Sequence, residues 1–369
     1  MNHEQIFLTR AYLPPYEEYA EEIRDLWESH WITTMGRKHN RFEQQLSELL
    51  GMPYVPVFTN GHNALELVLG SLGLQGEVIT TPYTFVSTTH AVVRNGLTPV
   101  FCDVREDDFN IDPEKIEPLI NEKTCAILAV HVYGNPCDVG ALQAIARKHG
   151  IKLIYDAAHA FGEIYQGHSI AEYGDASVFS FHASKVFNSV EGGCVACRDE
   201  KMYTALCRMR NFGINEQDVE YVATNAKMNE FSAAMGICNL RHLPEIIQAR
   251  EKLTELYLEQ LDDVTGLELP MGKPVAELQR NYAYFPVLVQ EAYGESRDVL
   301  YARLNRNGVQ ALRNFYPLTS AFSCYTDLRN KSETPVAKWL SEHVLLLPLY
   351  ADLQKEQVEY ICRLVRHEK

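Results

Sequence analysis

The sequence predicts an α/β protein in which a mostly parallel sheet is covered by helices on both faces and a smaller α+β domain follows. Three observations carry this. Seven short apolar runs alternate with helical patterns between residues 51 and 200; a long helical stretch begins near residue 230; and the tail mixes short apolar runs with helices. With 369 residues, 46% of them apolar and 22% charged, the chain has the composition of an ordinary soluble protein and the length for two domains.

Residues 1 to 50 read as an extended arm and two amphipathic helices. "PPYEEYAEEIRDLW" opens with proline at a helix start, and "RFEQQLSELLGM" has helical apolar spacing and a glycine stop, with the loop "SHWITTMGRKHN" between them. The seven strand candidates are "YVPVFT", "EVITT", "TPVFCDV", "CAILAVHVY", "IKLIYDAA", "DASVFSF" and "GGCVACR". The segments "NALELVLGSLGL", "STTHAVVRNG", "DPEKIEPLI" and "DVGALQAIARKHG" supply helices between them. The stretch "MNEFSAAMGICNLRHLPEIIQAREKLTELYLEQLDDV" is long enough to join two domains, and the tail carries "NYAYFPVLV", a helix near "SRDVLYARLNRNG", and "KWLSEHVLLLPL". The expected division is residues 1–245 for the arm and a large, ligand-binding domain, and residues 246–369 for the linking helix and a small domain.

A formal net charge of -15 leaves no general attraction for nucleic acid or anionic lipid. The start shows no basic segment followed by an apolar one, and no run approaches the length of a membrane span, so a cytoplasmic protein is expected. Nine cysteines, an odd number, argue for reduced thiols. The one CxxC, Cys194 to Cys197, has no second Cys or His pair at zinc spacing and reads as strand alternation; no metal site is expected. A GxGxxG after the first strand is absent, which sets dinucleotide binding aside.

Three strand ends carry chemistry. Lys185, in "SFHASKVFNSVEGG", follows the run "DASVFSF", where open α/β sheets bind ligands and where a lysine can form a Schiff base. In "TNGHNAL", a strand, a turn with Gly61 and a helix start point backbone N–H groups at an anion. "IYDAAHAFG" ends a strand with Asp156, followed by His159. Singly, each has an ordinary explanation: a solvated lysine, a helix cap, an N-cap aspartate. Jointly they are what pyridoxal phosphate needs: an anion cradle, a carboxylate for the pyridine nitrogen and a lysine for the aldehyde.

At this point the sequence resembles the DegT/DnrJ/EryC1/StrS sugar aminotransferases. The likeness runs from "WITTMG" through "TNGHNAL", "TPYTFVSTTHAV", "ILAVHVYGNPCD", "IYDAAHAFG", "SFHASK", "EGG" and "NAKMNEFSAA" to "NFYPL". It implies the aspartate aminotransferase fold, fold type I, with pyridoxal 5'-phosphate as cofactor. It makes Lys185 the Schiff-base lysine and Asp156 the partner of the ring nitrogen, with His159 against the ring or its 3-hydroxyl and Phe85 stacked on the other face. Ser180 becomes a phosphate ligand beside a backbone cradle at Gly61, His62 and Asn63. Asn225 would reach the phosphate from the neighbouring subunit, which implies a two-fold homodimer with shared sites, and Tyr316 would lie near the substrate. The chain departs from the family at His62, where Thr or Ser is usual, and at Ala223, where Gly is usual; Thr59 or backbone N–H groups are candidates to replace the lost hydroxyl. His182 and Glu191 belong to the motif and read equally as packing or as substrate contacts.

The activity implied is ping-pong transamination: glutamate gives its amino group to the cofactor, and a keto sugar linked to a nucleotide receives it. Family members that aminate C3 tend to carry Gln in place of His159 and a Tyr-Pro pair in place of His182 and Ala183. The expected reaction is therefore at C4 of a 4-keto-6-deoxy hexose, with dTDP-4-keto-6-deoxyglucose as the substrate. The alternatives are a C3-aminating or galactose-configured enzyme and, from a different class, a non-catalytic regulatory protein of the same fold. A dehydratase would carry histidine in place of Lys185. An amino-acid aminotransferase would hold the substrate carboxylate on an arginine, for which Arg303, Arg306 and Arg313 are candidates.

Overall fold

A computed structural model describes residues 5–328 and 333–368. The first four residues of the expected arm, and residues 329–332 and 369 of the expected small domain, lie outside the described residues. Each of the seven apolar runs contains one strand of a single sheet: β1 (Val57–Phe58), β2 (Glu77–Thr80), β3 (Thr98–Phe101), β4 (Thr124–Val130), β5 (Lys152–Asp156), β6 (Ala176–Ser180) and β7 (Gly193–Cys197). Their spatial order is β1-β7-β6-β5-β4-β2-β3. The pairs from β3 to β6 are all parallel, and β7 runs antiparallel to both its neighbours. Continuous apolar runs form these strands because helices cover both faces: all of β4 is buried except the partly buried Cys125.

The helices begin and end on local signals. α1 (Tyr16–Ile23) follows Pro15, and α2 (Arg37–Leu50) stops at Gly51, which takes φ 63°. α3 (Gly61–Ser71) is capped by the Asn60 side chain, α4 (Val86–Arg94) starts after Phe85, and α5 (Val139–His149) is capped by Asp138. α6 (Glu200–Met209) starts on Asp199. The predicted long helical stretch is two helices, α7 (Glu230–Arg241) and α8 (Leu243–Leu261), because His242 leaves the helical region before Pro244 sits in the first turn of α8. The helix expected over "DPEKIEPLI" is instead two 3₁₀ turns, Pro113–Lys115 and Glu117–Leu119: Pro118 has no N–H for an α-helical bond.

α8 crosses from one core to another. Its Leu243 and Ile246 pack with Phe42, Phe161, Phe181 and Phe187, while Leu253, Tyr257 and Leu261 pack against a second body. That body holds the antiparallel sheet β8 (Leu267–Glu268), β9 (Phe285–Val289) and β10 (Val344–Leu347), in that order, with α9 (Arg297–Arg306), α10 (Pro335–His343) and α11 (Lys355–Val365). Ile6 of the arm pairs with Val309 and is buried in this second core. Among the described residues no helix is long and apolar enough to cross a membrane. Cys194 and Cys197 lie on β7 with free thiols and pack into different cores on opposite faces of the sheet, so they cannot share one metal ion.

Candidate active site

The carboxyl ends of β1, β2, β5 and β6 open onto one cavity of about 400 Å³, lined among others by Gly61, His62, Phe85, Asp156, His159, Ser180 and Lys185. Parallel strands deliver these residues together because all four end at the same edge of the sheet. Of the ten residues assigned a role in binding or catalysis from the sequence, seven line the cavity.

Lys185 sits in the loop between β6 and β7. The loop is tied at its base, where the Phe181 N–H donates to the Gly192 carbonyl (2.8 Å) and the Ser189 N–H to the Phe181 carbonyl (3.0 Å). Lys185 Nζ donates to Tyr284 Oη at 3.1 Å.

Asp156 is the last residue of β5 and only 8% exposed. Its Oδ2 accepts from the Thr88 hydroxyl (2.8 Å) and its Oδ1 from the Ala158 N–H (3.2 Å). Thr84 Oγ1 lies 2.7 Å from Thr88 Oγ1, so a chain of two hydroxyls ends on the carboxylate. Burial pushes the Asp156 carboxyl above its ordinary range, and the bonds from Thr88 and Ala158 and the nearby Lys185 oppose that rise. A cation placed against Asp156 is therefore strongly favoured. His159 Nδ1 accepts the Tyr133 N–H (3.1 Å), which leaves the proton of the neutral ring on Nε2. Burial holds this imidazole well below its usual pKa, so it stays neutral.

The candidate anion cradle lies where α3 meets β6. A Cβ on Gly61 would lie 2.9 Å from Ser180 Cβ and 3.1 Å from its Cα, so only glycine lets the helix start approach Ser180 this closely. The Asn63 N–H donates to the Asn60 cap (2.8 Å), so at this helix start the Gly61 and His62 N–H groups are the candidates for holding an anion. The Asn63 side chain instead donates to Thr59 Oγ1 (2.8 Å). The His62 ring bonds to Ser87 Oγ (2.8 Å) and lies 3.6 Å from Glu66. Phe85 stands over the cavity, 64% exposed. At the mouth His182 and Glu191 face each other at 3.6 Å, both half-exposed.

Two other residues lie elsewhere. Asn225 is exposed on the segment paired with the edge strand β1, its side chain held by Lys227 (2.7 Å). Tyr316 turns away from the cavity toward Arg297 and Arg313, and its neighbour Phe315 lines the wall. Arg303, Arg306 and Arg313 do not line the cavity. Sequence reasoning missed Thr88, Tyr284 and Phe315. Thr84 and Thr88 are four positions apart in "TFVST", a spacing that could have flagged a shared face; nothing local marks Tyr284, which is 99 residues from Lys185.

The donor set fits pyridoxal phosphate: N–H groups and the Ser180 hydroxyl for the phosphate, a buried carboxylate for the ring nitrogen, an amine for the aldehyde and an aromatic face for the ring.

Residues 16–366 match the DegT/DnrJ/EryC1/StrS aminotransferase family. The chain is 40% identical to the dTDP-4-amino-4,6-dideoxy-D-glucose transaminase of Shigella dysenteriae and 38% identical to that of Escherichia coli, in each case over 99% of both chains. Among solved structures it is similar to DesI, determined in the presence of its TDP-sugar product (TM-score 0.94, 31% identity, 99% of this chain and 93% of the other). It is also similar to the putative sugar aminotransferase Spr1654 of Streptococcus pneumoniae, known in PLP and PMP forms (TM-score 0.90 and 25% identity for both, covering 98% of this chain and 97–98% of the other).

Proposed function

Because the chain belongs to the DegT/DnrJ/EryC1/StrS aminotransferase family, we propose that it transfers an amino group from glutamate to C4 of dTDP-4-keto-6-deoxyglucose, giving dTDP-4-amino-4,6-dideoxyglucose. It is a pyridoxal-phosphate-dependent sugar nucleotide aminotransferase. The observation that carries the reading is that Lys185, Asp156 and the start of α3 open onto one cavity.

When bound, pyridoxal phosphate supplies an aldehyde that carries the amino group and a ring that withdraws electrons from the carbon losing a proton. Asp156 would hold the ring nitrogen protonated, and Thr88 and Ala158 hold Asp156. Gly61, His62 and Ser180 would take the phosphate, Phe85 would cover one ring face, and His159 would offer Nε2–H to the ring or its hydroxyl. Lys185 Nζ would hold the cofactor through its aldehyde, and the same amine would serve as the base that moves a proton at the amino donor's carbon. Tyr316, stacked between Arg297 and Arg313, borders the sugar nucleotide's approach rather than its reacting carbon. The exposed Asn225 serves the phosphate of the neighbouring subunit in a two-fold homodimer. The large, cofactor-binding domain ends near residue 245, within α8, and the small domain follows. A cytoplasmic location is part of this reading, and the nine cysteines with free thiols support it.

The test is a panel of nucleotide-linked 3-keto and 4-keto sugars with glutamate, followed by release of 2-oxoglutarate. Turnover with the 4-keto-6-deoxy sugar is expected. Amination of a 3-keto sugar with the 4-keto isomer left untouched would overturn the assignment.

A further inference from the structure

Lys185 has two tasks in the proposed reaction, and the second needs its amine free yet aimed. A lysine released from its bond to the cofactor has a flexible stem, and something must hold its nitrogen beside the carbon it deprotonates. We propose that Tyr284 is that group: a catalytic residue whose hydroxyl takes the hydrogen bond of the free Lys185 amine and holds it in line for proton transfer. The inference rests on the transaminase reading above.

Three features place Tyr284 there. Its Oη accepts from Lys185 Nζ at 3.1 Å, and its ring stands edge-on to His159 with centroids 4.8 Å apart. The backbone just before it is clamped by Arg250 of α8, only 4% exposed, which donates to the Tyr282 carbonyl (2.9 Å) and the Ala283 carbonyl (2.7 Å). Among the described residues Arg250 forms no ion pair, so a buried guanidinium is committed to fixing this short segment. At the other end the Asn281 side chain donates to the His159 carbonyl (2.8 Å) and the Phe161 carbonyl (3.1 Å), and the Asn281 N–H donates to Glu163 (3.2 Å). Residues 281–284 thus form a strap from the second body, tied down on both sides and ending with one hydroxyl on the reacting nitrogen. During turnover the neutral Lys185 amine takes the proton from the donor's carbon while the C–H electron pair passes into the ring. The resulting ammonium keeps one N–H on Tyr284 Oη until it returns the proton to the cofactor's carbon.

The test is Tyr284→Phe, which removes only the hydroxyl. Borohydride should still trap the cofactor on Lys185 as in the wild type. The half-reaction with glutamate should slow by about 10- to 100-fold, the worth of a hydrogen bond to a charged group, with a larger isotope effect from glutamate deuterated at its α carbon. In the cofactor-free protein, an acetylating reagent should label Lys185 severalfold faster than in the wild type. A half-reaction within twofold of wild type and an unchanged isotope effect would overturn the proposal. Tyr284→His, which keeps an acceptor, and Tyr284→Leu, which keeps none, repeat the comparison if the phenylalanine variant does not fold; equal rates in these two would also overturn it. Failure to trap cofactor on Lys185 in the wild type would instead overturn the transaminase reading, and the acetylation rates would then decide the Tyr284 contact alone.

Discussion

Thr88→Val removes one hydroxyl at nearly constant volume, and the structure says what that hydroxyl does. It donates to Asp156 Oδ2 at 2.8 Å in a site where the carboxylate is 8% exposed and has, among the described residues, only the 3.2 Å bond from Ala158 besides this one. A hydrogen bond to a buried charge contributes about 1.5–3 kcal/mol. Losing it raises the cost of the charged carboxylate, and burial already acts against that charge. The ring nitrogen opposite then holds its proton less firmly. At 1.36 kcal/mol per tenfold, kcat should fall about 10- to 100-fold. Thr88 does not line the cavity, so KM for the sugar nucleotide should hold within about twofold. Thr88→Ser restores the hydroxyl and should recover most of the rate. Steady-state kinetics at saturating cofactor checks this. A valine variant with kcat within twofold of wild type would refute the chain of reasoning from Thr88 through Asp156.

Gly61→Ala puts a methyl 2.9 Å from Ser180 Cβ and should weaken cofactor retention on dialysis, with the fold kept, because α3 and β6 must part by a few tenths of an ångström. Glu43 is partly buried, which disfavours its charge, but Arg210 and the His39 bond outweigh that and hold its carboxyl at about 2 against an ordinary 4.5. The pair therefore stabilises the fold fully above pH 4.5 and loses that contribution as pH falls toward 2. Glu43→Gln should cost about 3 kcal/mol at pH 7, read as a lower urea midpoint, and should flatten this acid dependence. Lys185→Ala should bind cofactor without turnover. Mixed with an inactive Asn225 variant it should regain activity, since each mixed dimer would carry one intact site; no recovery despite proven subunit exchange would contradict the shared site.

The sheet was legible because parallel strands buried on both faces read as continuous apolar runs, and every run held its strand. The reversed direction of β7 was not legible, since a run such as "GGCVACR" looks the same in either direction. α6 and α11 were not legible because "EKMYTALCRM" and "KEQVEYICRLV" lie beyond the alternation of strands and helices that marks the others. At the site, Lys185, Asp156 and Gly61 were readable because each follows its own strand and needs no distant partner to be recognised. Thr88 and Tyr284 acquire their roles only through folding: one reaches across from α4 to β5, the other arrives from the second body. Tyr316 shows the limit of motif matching. Phe315 lies in a turn and takes the cavity side, while Tyr316 just after it faces Arg297 and Arg313, a difference no motif match reads out.

In the proposed reaction this site moves the amino group of glutamate onto C4 of a nucleotide-linked keto sugar. The most direct measurement is incubation of the enzyme with ¹⁵N-glutamate and dTDP-4-keto-6-deoxyglucose, followed by NMR of the purified product. The account predicts ¹⁵N coupled to the C4 proton, with one 2-oxoglutarate released per amine formed. Label at C3, or a sugar returned without ¹⁵N by an enzyme that holds its cofactor on Lys185, would contradict it.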